Sequence, residues 1–206
     1  MGRFYTGDGQ FVGMKKLPNA CRSLLQSLRR RMTGQLPDLP WIPFSAATAI
    51  DQILTRESRV WEVGAGQSTL WLARRAGHVT SIEASVDWYN QLCQRITQQG
   101  IDNVNLRHEW VAEQMADFSS VEDSALDLLY VDGGPRGLCF TNGFRKVRPG
   151  GWIYLDNWDS QSMWEGARAF LAETASAIAS SQSFVDYVPA QVGVYEGLLL
   201  QKSDGK

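Results

Sequence analysis

From Arg59 onward the sequence alternates short apolar runs with helical stretches, and this alternation constrains the fold more than any other feature of the chain. Strands are predicted at Arg59 to Val63, His78 to Glu83, Val104 to Arg107, Leu126 to Asp132 and Gly151 to Asp156. Helices are predicted between and after them at Ser68 to Ala76, Val86 to Gln99, Ala112 to Phe118, Gly137 to Val147 and Gln161 to Ser181. Parallel neighbours need a crossover, usually helical, so strict alternation implies a parallel sheet covered on both faces. Two more extended runs follow, Ser183 to Val188 and Val194 to Gln201, with Pro189 and Gly193 between them. So short a connection allows only an antiparallel pair. The expected fold is α/β and doubly wound: a mostly parallel seven-stranded sheet with an antiparallel C-terminal edge hairpin.

With 206 residues, 44% apolar and 20% charged, the chain has the composition of one globular domain. The expected division is 1–44, an arm and a basic helix, followed by 45–206, the α/β domain. Residues 1–14 are Gly-rich and aperiodic. Pro18 and Asn19 then open a helix in which Leu24, Leu25, Leu28 and Met32 recur at helical spacing, ended by Gly34 and Pro37. Before Gln35 there are seven Lys or Arg against one acid. Such a helix is either a solvated structural element or a weak contact for an acidic lipid surface or partner. The next helix, from Ser45, is expected to be capped by that serine.

A net charge of -2 gives no bulk electrostatic reason to expect a nucleic-acid partner. No apolar run reaches the roughly 20 residues of a membrane span. The three cysteines, Cys21, Cys93 and Cys139, share no metal-ligand spacing and read as reduced thiols, consistent with a cytoplasmic setting.

The densest chemical signal is "RVWEVGAGQSTLWLARRAGHVTSIEAS". Gly64, Ala65 and Gly66 follow a buried strand where the chain turns into a helix, and residues without bulk there let backbone approach a ligand. Ser68 is expected to cap that helix. Glu83, followed by Ala84, closes the second strand beside the same crevice and can accept hydrogen bonds from both hydroxyls of a ribose. A dinucleotide such as NAD wants a third glycine where this chain has Thr69. These residues, with Glu62 ahead of the Gly-x-Gly turn in "WEVGAG", resemble class I S-adenosylmethionine-dependent methyltransferases. More narrowly, "VGAGQSTLWLA" and "SIEASVDWY" look like a bacterial branch with a Gly-x-Gly-x-Ser-Thr cofactor loop. The resemblance implies a Rossmann-like methyltransferase fold with S-adenosylmethionine held by Glu62, Gly64, Ala65, Gly66, Ser68, Glu83, Ala84 and Asp132. Trp110, just past the third strand, is either a stacking partner for adenine or a packing residue.

A second constellation is carried by "LDLLYVDGGPRGLC" and "RPGGWIYLDNWD". Parallel strands put their carboxyl ends on one edge, so Asp132, Asp156 and Asn157 should share a rim. Three oxygen-bearing side chains suit a hard cation such as magnesium (Mg2+), and they are similar to the Asp, Asp and Asn ligands of catechol-type O-methyltransferases. This chain departs from those enzymes in having Pro135 and Arg136 where a lysine is expected. The site therefore reads either as metal-assisted or as metal-free, with Asp132 the leading base or ligand, Asp156 second, and Asn157 orienting. Arg136, Trp158 and Trp164 are candidates for an acceptor pocket, and His78 is structural. The expected function is methylation of a small-molecule or glycan hydroxyl, with an NAD-dependent oxidoreductase or a non-catalytic adenosyl-binding protein as alternatives.

Overall fold

The computed structural model describes residues 12–204. Seven strands form one sheet in the order β3-β2-β1-β4-β5-β7-β6. They are β1 (Arg59–Val63), β2 (His78–Glu83), β3 (Val104–His108), β4 (Leu126–Val131), β5 (Val147–Asp156), β6 (Ile178–Tyr187) and β7 (Val194–Lys202). Strands β1 to β5 pair in parallel, while β7 runs antiparallel to both β5 and β6. The expected hairpin thus stands at the sheet edge, with the reversed strand one place in and β6 outermost.

Burial explains why these segments are strands. Residues Val60 to Val63 are all buried, as a strand covered on both faces requires. Alternate side chains feed two cores. Trp61, Val63, Leu129, Val131, Ile153 and Leu155 meet α6 (Arg136–Gly143) and α7 (Ala167–Glu173), with Phe140 inserted between. Val60, Leu128, Tyr130 and Tyr154 meet α2 (Phe44–Ile53) and α3 (Gln67–Ala73). Helices α4 (Val86–Gln98) and α5 (Ala112–Met115) complete the crossovers.

Helix α1 (Leu17–Thr33) ends on Gly34, whose φ of 70° and amide bond to the Arg30 carbonyl close its last turn. The fully buried Asp186 of β6 anchors the helix start, accepting from Lys16 Nζ at 3.2 Å and Asn19 Nδ2 at 2.8 Å. It also accepts the Ser45 amide at 3.2 Å, so one carboxylate joins both N-terminal helices to the sheet.

Several element readings change. Helix α2 starts at Phe44 with Pro43 as its N-cap, and the Ser45 side chain does not cap it. In place of a helix over 161–181 there are a 3-10 turn (Gln161–Trp164), the short α7, a second 3-10 turn (Ala175–Ala177) and then strand β6. The expected arm at residues 1–14 lies mostly outside the described residues.

Candidate active site

The sheet order reverses between β1 and β4, and a doubly wound fold leaves a crevice at such a switch point. A cavity lies there, lined by Gly64 to Ser68, Glu83, Ala84, Trp88, Asp132 to Gly134, Met115 and Trp41.

Its floor depends on two glycines in contact. Gly64 has φ of 94°, which side-chain-bearing residues rarely adopt, and a Cβ there would sit 2.6 Å from the Gly133 nitrogen. Gly66 is less constrained, since its Cβ would meet only the Trp88 Nε1 at 3.4 Å.

The loop is braced from below by Glu62, which is fully buried. Its Oε2 accepts from Thr69 Oγ1 at 2.6 Å and from Ser81 Oγ. Thr69 Oγ1 in turn accepts the Gly66 amide at 2.9 Å. Gly66, and not Ser68, therefore stands at the N-cap of α3 with its amide held by Thr69, while the buried Ser68 lines the cavity. Burial pushes the Glu62 carboxyl up to about 7 despite these hydroxyl donors. Its other oxygen, Oε1, is buried with no partner among the described residues.

Glu83 stands half-buried on the rim, accepting the Ser85 amide at 2.7 Å. Partial burial raises its pKa, and the backbone donors oppose that rise. Trp88 Nε1 donates to the Ala65 carbonyl at 3.0 Å and fixes the opposite wall. Trp41 approaches Trp88 with ring centroids 6.3 Å apart. The loop carrying Trp41 is tied down by Gln67 Nε2, which donates to the Pro37 carbonyl at 2.6 Å. Sequence reasoning did not place Trp41 or Met115 in the cavity; the signal for Trp41 was an aromatic in a Pro-rich loop that needed an apolar neighbour.

A polar row crosses the sheet on the same face. Register sets Glu62 beside Tyr130 and Tyr130 beside Tyr154, and the two tyrosine rings lie 5.0 Å apart. Two residues further along their strands, on the same face, come Asp132 and Asp156. The two carboxyls lie close enough to influence each other's proton affinity, and Arg136 faces them. Burial and the neighbouring Asp156 carboxylate hold Asp132 well above the usual carboxylate range. Burial likewise raises Asp156, whose Oδ1 accepts the Tyr154 hydroxyl at 2.7 Å. Arg136 closes over the pair. It donates to the Asp156 carbonyl at 2.6 Å, the Asp132 carbonyl at 2.6 Å and Asp132 Oδ1 at 3.2 Å.

The expected three-ligand metal set does not fit this arrangement. Of Asp132, Asp156 and Asn157, only Asp132 lines the cavity, and its charge is already matched by the Arg136 guanidinium. Asp156 is buried beneath it. Asn157, in a left-handed conformation with φ of 54°, offers its carbonyl to Trp164 Nε1 at 3.2 Å.

Other expectations also change. Trp110 is exposed and lies tilted against His108 with ring centroids 5.1 Å apart, outside the residues that line the cavity. Trp158 and Trp164 are buried in the core beside α6. A second groove, sharing Gly133 and Gly134 with the first, is lined by Pro135, Arg136, Leu138, Ser162, Met163 and Glu165. His78 opens β2 at the far end of the strand from the cavity. Burial raises the Cys139 thiol to about 12, as expected of a packed, unreactive cysteine.

Comparison with known proteins bears on the fold. Residues 61–158 match the family described as a methyltransferase domain. A 79-residue stretch is 42% identical to the protein-L-isoaspartate O-methyltransferase of Chromohalobacter salexigens, covering 37% of this chain and 33% of that protein. The chain thus spans about a third of the length of that curated relative. Among solved structures, it is similar to an O-methyltransferase of tomaymycin synthesis from Streptomyces achromogenes in complex with S-adenosylmethionine. The TM-score is 0.64 at 19% identity, over 92% of this chain and 96% of that one. It is also similar to an O-methyltransferase from Bacillus cereus in complex with S-adenosylhomocysteine, with a TM-score of 0.63 at 20% identity, over 88% and 90%. The fold is that of the Rossmann-like methyltransferases.

Proposed function

We propose that the chain is an S-adenosylmethionine-dependent O-methyltransferase acting on a hydroxyl of a small molecule or sugar. The observation that carries this reading is the cavity at the switch point between β1 and β4, floored by the backbone contact of Gly64 with Gly133 and rimmed by Glu83. The residues present fit the cofactor: a backbone cradle for its amino-acid portion and a strand-terminal carboxylate for ribose hydroxyls.

S-adenosylmethionine, when bound, supplies an electrophilic methyl group on a sulfonium. Gly64 to Ser68 and Glu83 would hold and orient it, which matters because direct displacement demands collinear alignment. Asp132 faces the cavity and, in its ionised form, would take the acceptor hydroxyl proton, its raised proton affinity making it a stronger base than an ordinary aspartate. Arg136 fixes that carboxyl in place. The groove lined by Arg136, Leu138, Met163 and Glu165 opens beside it and supplies a seat for the acceptor.

Thermal-shift measurements with S-adenosylmethionine, S-adenosylhomocysteine and NAD, each with magnesium and with chelator, test the reading, because a ligand that binds only the native state raises its melting temperature. Both adenosyl ligands should stabilise the protein equally under the two conditions. A shift with NAD and none with the adenosyl ligands would overturn the proposal. Thr69 argues against that result: it stands where a dinucleotide loop wants glycine, and its hydroxyl is engaged by Glu62 and Gly66.

A further inference from the structure

We propose that α1 is a peripheral membrane anchor that lies along an anionic lipid surface. The helix is mounted unusually. Its buried residues are Ser23 and Ser27, whereas Leu24, Leu25, Leu28 and Met32 are exposed, Leu25 to 67% and Met32 to 84%. Polar contacts hold it in place: Ser23 Oγ donates to the Val188 carbonyl at 2.7 Å and accepts the Val192 amide at 2.9 Å, and Asn19 binds Asp186.

At about 100° per residue, Leu24, Leu17, Leu28, Cys21, Met32 and Leu25 fall next to one another on a single arc of about 100°. Arg31 flanks the arc on one side and Arg22 with Arg29 on the other. Residues 14–33 contain Lys15, Lys16, Arg22, Arg29, Arg30 and Arg31 and no acid. An apolar stripe with cationic borders is the pattern of a helix lying in a membrane interface, its leucines among the upper acyl chains and its arginines at lipid phosphates. Charge decides the occupant. A second copy of this face would bring two sets of arginines together with no acid on α1 to offset them. Among the described residues no helix is long and apolar enough to cross a membrane, so the contact is superficial.

The test is co-sedimentation of the full chain with vesicles of phosphatidylcholine alone or mixed with phosphatidylglycerol, independent of methyl transfer. The mixed vesicles should hold at least about tenfold more protein, and added salt should weaken binding. The double variants Leu25→Glu with Met32→Glu, and Arg29→Gln with Arg31→Gln, should each lose most of this binding while melting like the parent, since all four side chains are exposed. Failure to bind the mixed vesicles, equal binding to both, or binding that survives the glutamates would overturn the proposal. So would a lipid-free dimer, seen by light scattering, that the glutamates convert to monomer.

Discussion

Gly64 and Gly133 meet backbone to backbone beneath the cavity: a Cβ on either would lie 2.6 Å from a main-chain atom of the other. Gly64→Ala must therefore separate β1 from the turn after β4 in addition to adopting an unfavourable positive φ. A stability loss of about 2–4 kcal/mol is expected. Gly66→Ala should cost less than about 1 kcal/mol, because its Cβ meets only the far end of Trp88 at 3.4 Å. Urea denaturation of the two variants measures the difference. Equal losses would mean that the 64–133 contact is not as close as described.

Glu83→Ala removes the rim carboxylate from a half-exposed position. Cofactor binding should weaken by about 1–3 kcal/mol with little change in folding stability. Calorimetric titration with S-adenosylhomocysteine checks this, and undiminished affinity would remove Glu83 from the ribose site.

The buried Glu62 makes stability depend on pH. Its folded pKa, about 7, lies above the ordinary 4.5, so the native state holds a proton that the unfolded chain has already released between those values. This contribution is present below about pH 4.5 and is lost as pH rises through 7. Glu62→Gln keeps a neutral acceptor for Thr69 and Ser81. Relative to the parent, it should gain up to about 3 kcal/mol of stability on going from pH 5 to pH 8. A difference between the two proteins that stays flat with pH would show that Glu62 is ionised throughout.

Arg136 spans two carbonyls and a carboxylate, a geometry that an ammonium reproduces only in part. Arg136→Met should cost about 2–4 kcal/mol by leaving those acceptors unpaired, with Arg136→Lys intermediate. Magnesium added to the parent protein should give no saturable heat in calorimetry. A stoichiometric magnesium isotherm would restore the metal reading that the guanidinium now argues against.

The parts of the fold set by strong local signals were legible from sequence: apolar runs ending in Gly-x-Gly or in Glu83, and helices between them. Strand β6 was not. Its Ala- and Ser-rich start, Ile178 to Ser181, reads as the end of a helix, and only pairing with Leu200 to Lys202 of β7 makes it a strand. The Asp132 and Asp156 pair was legible because parallel strand ends share an edge. The role of Arg136 was not, since only coordinates show which charges a guanidinium spans. Trp158 and Trp164 were misplaced for a related reason: position along the chain does not say which face of the sheet an aromatic packs on.

The insertion of β7 between β5 and β6 also orders events during synthesis. A nascent chain extending to Gly193 already contains β5 and β6, but the two do not pair with each other, because the place between them belongs to β7. Until Val194–Lys202 arrives, β5, the strand that carries Asp156, keeps an open edge, and β6 has no strand neighbour. Open edges invite pairing with other chains. A strand without any candidate catalytic side chain is thus the one whose late arrival leaves the sheet edge open longest.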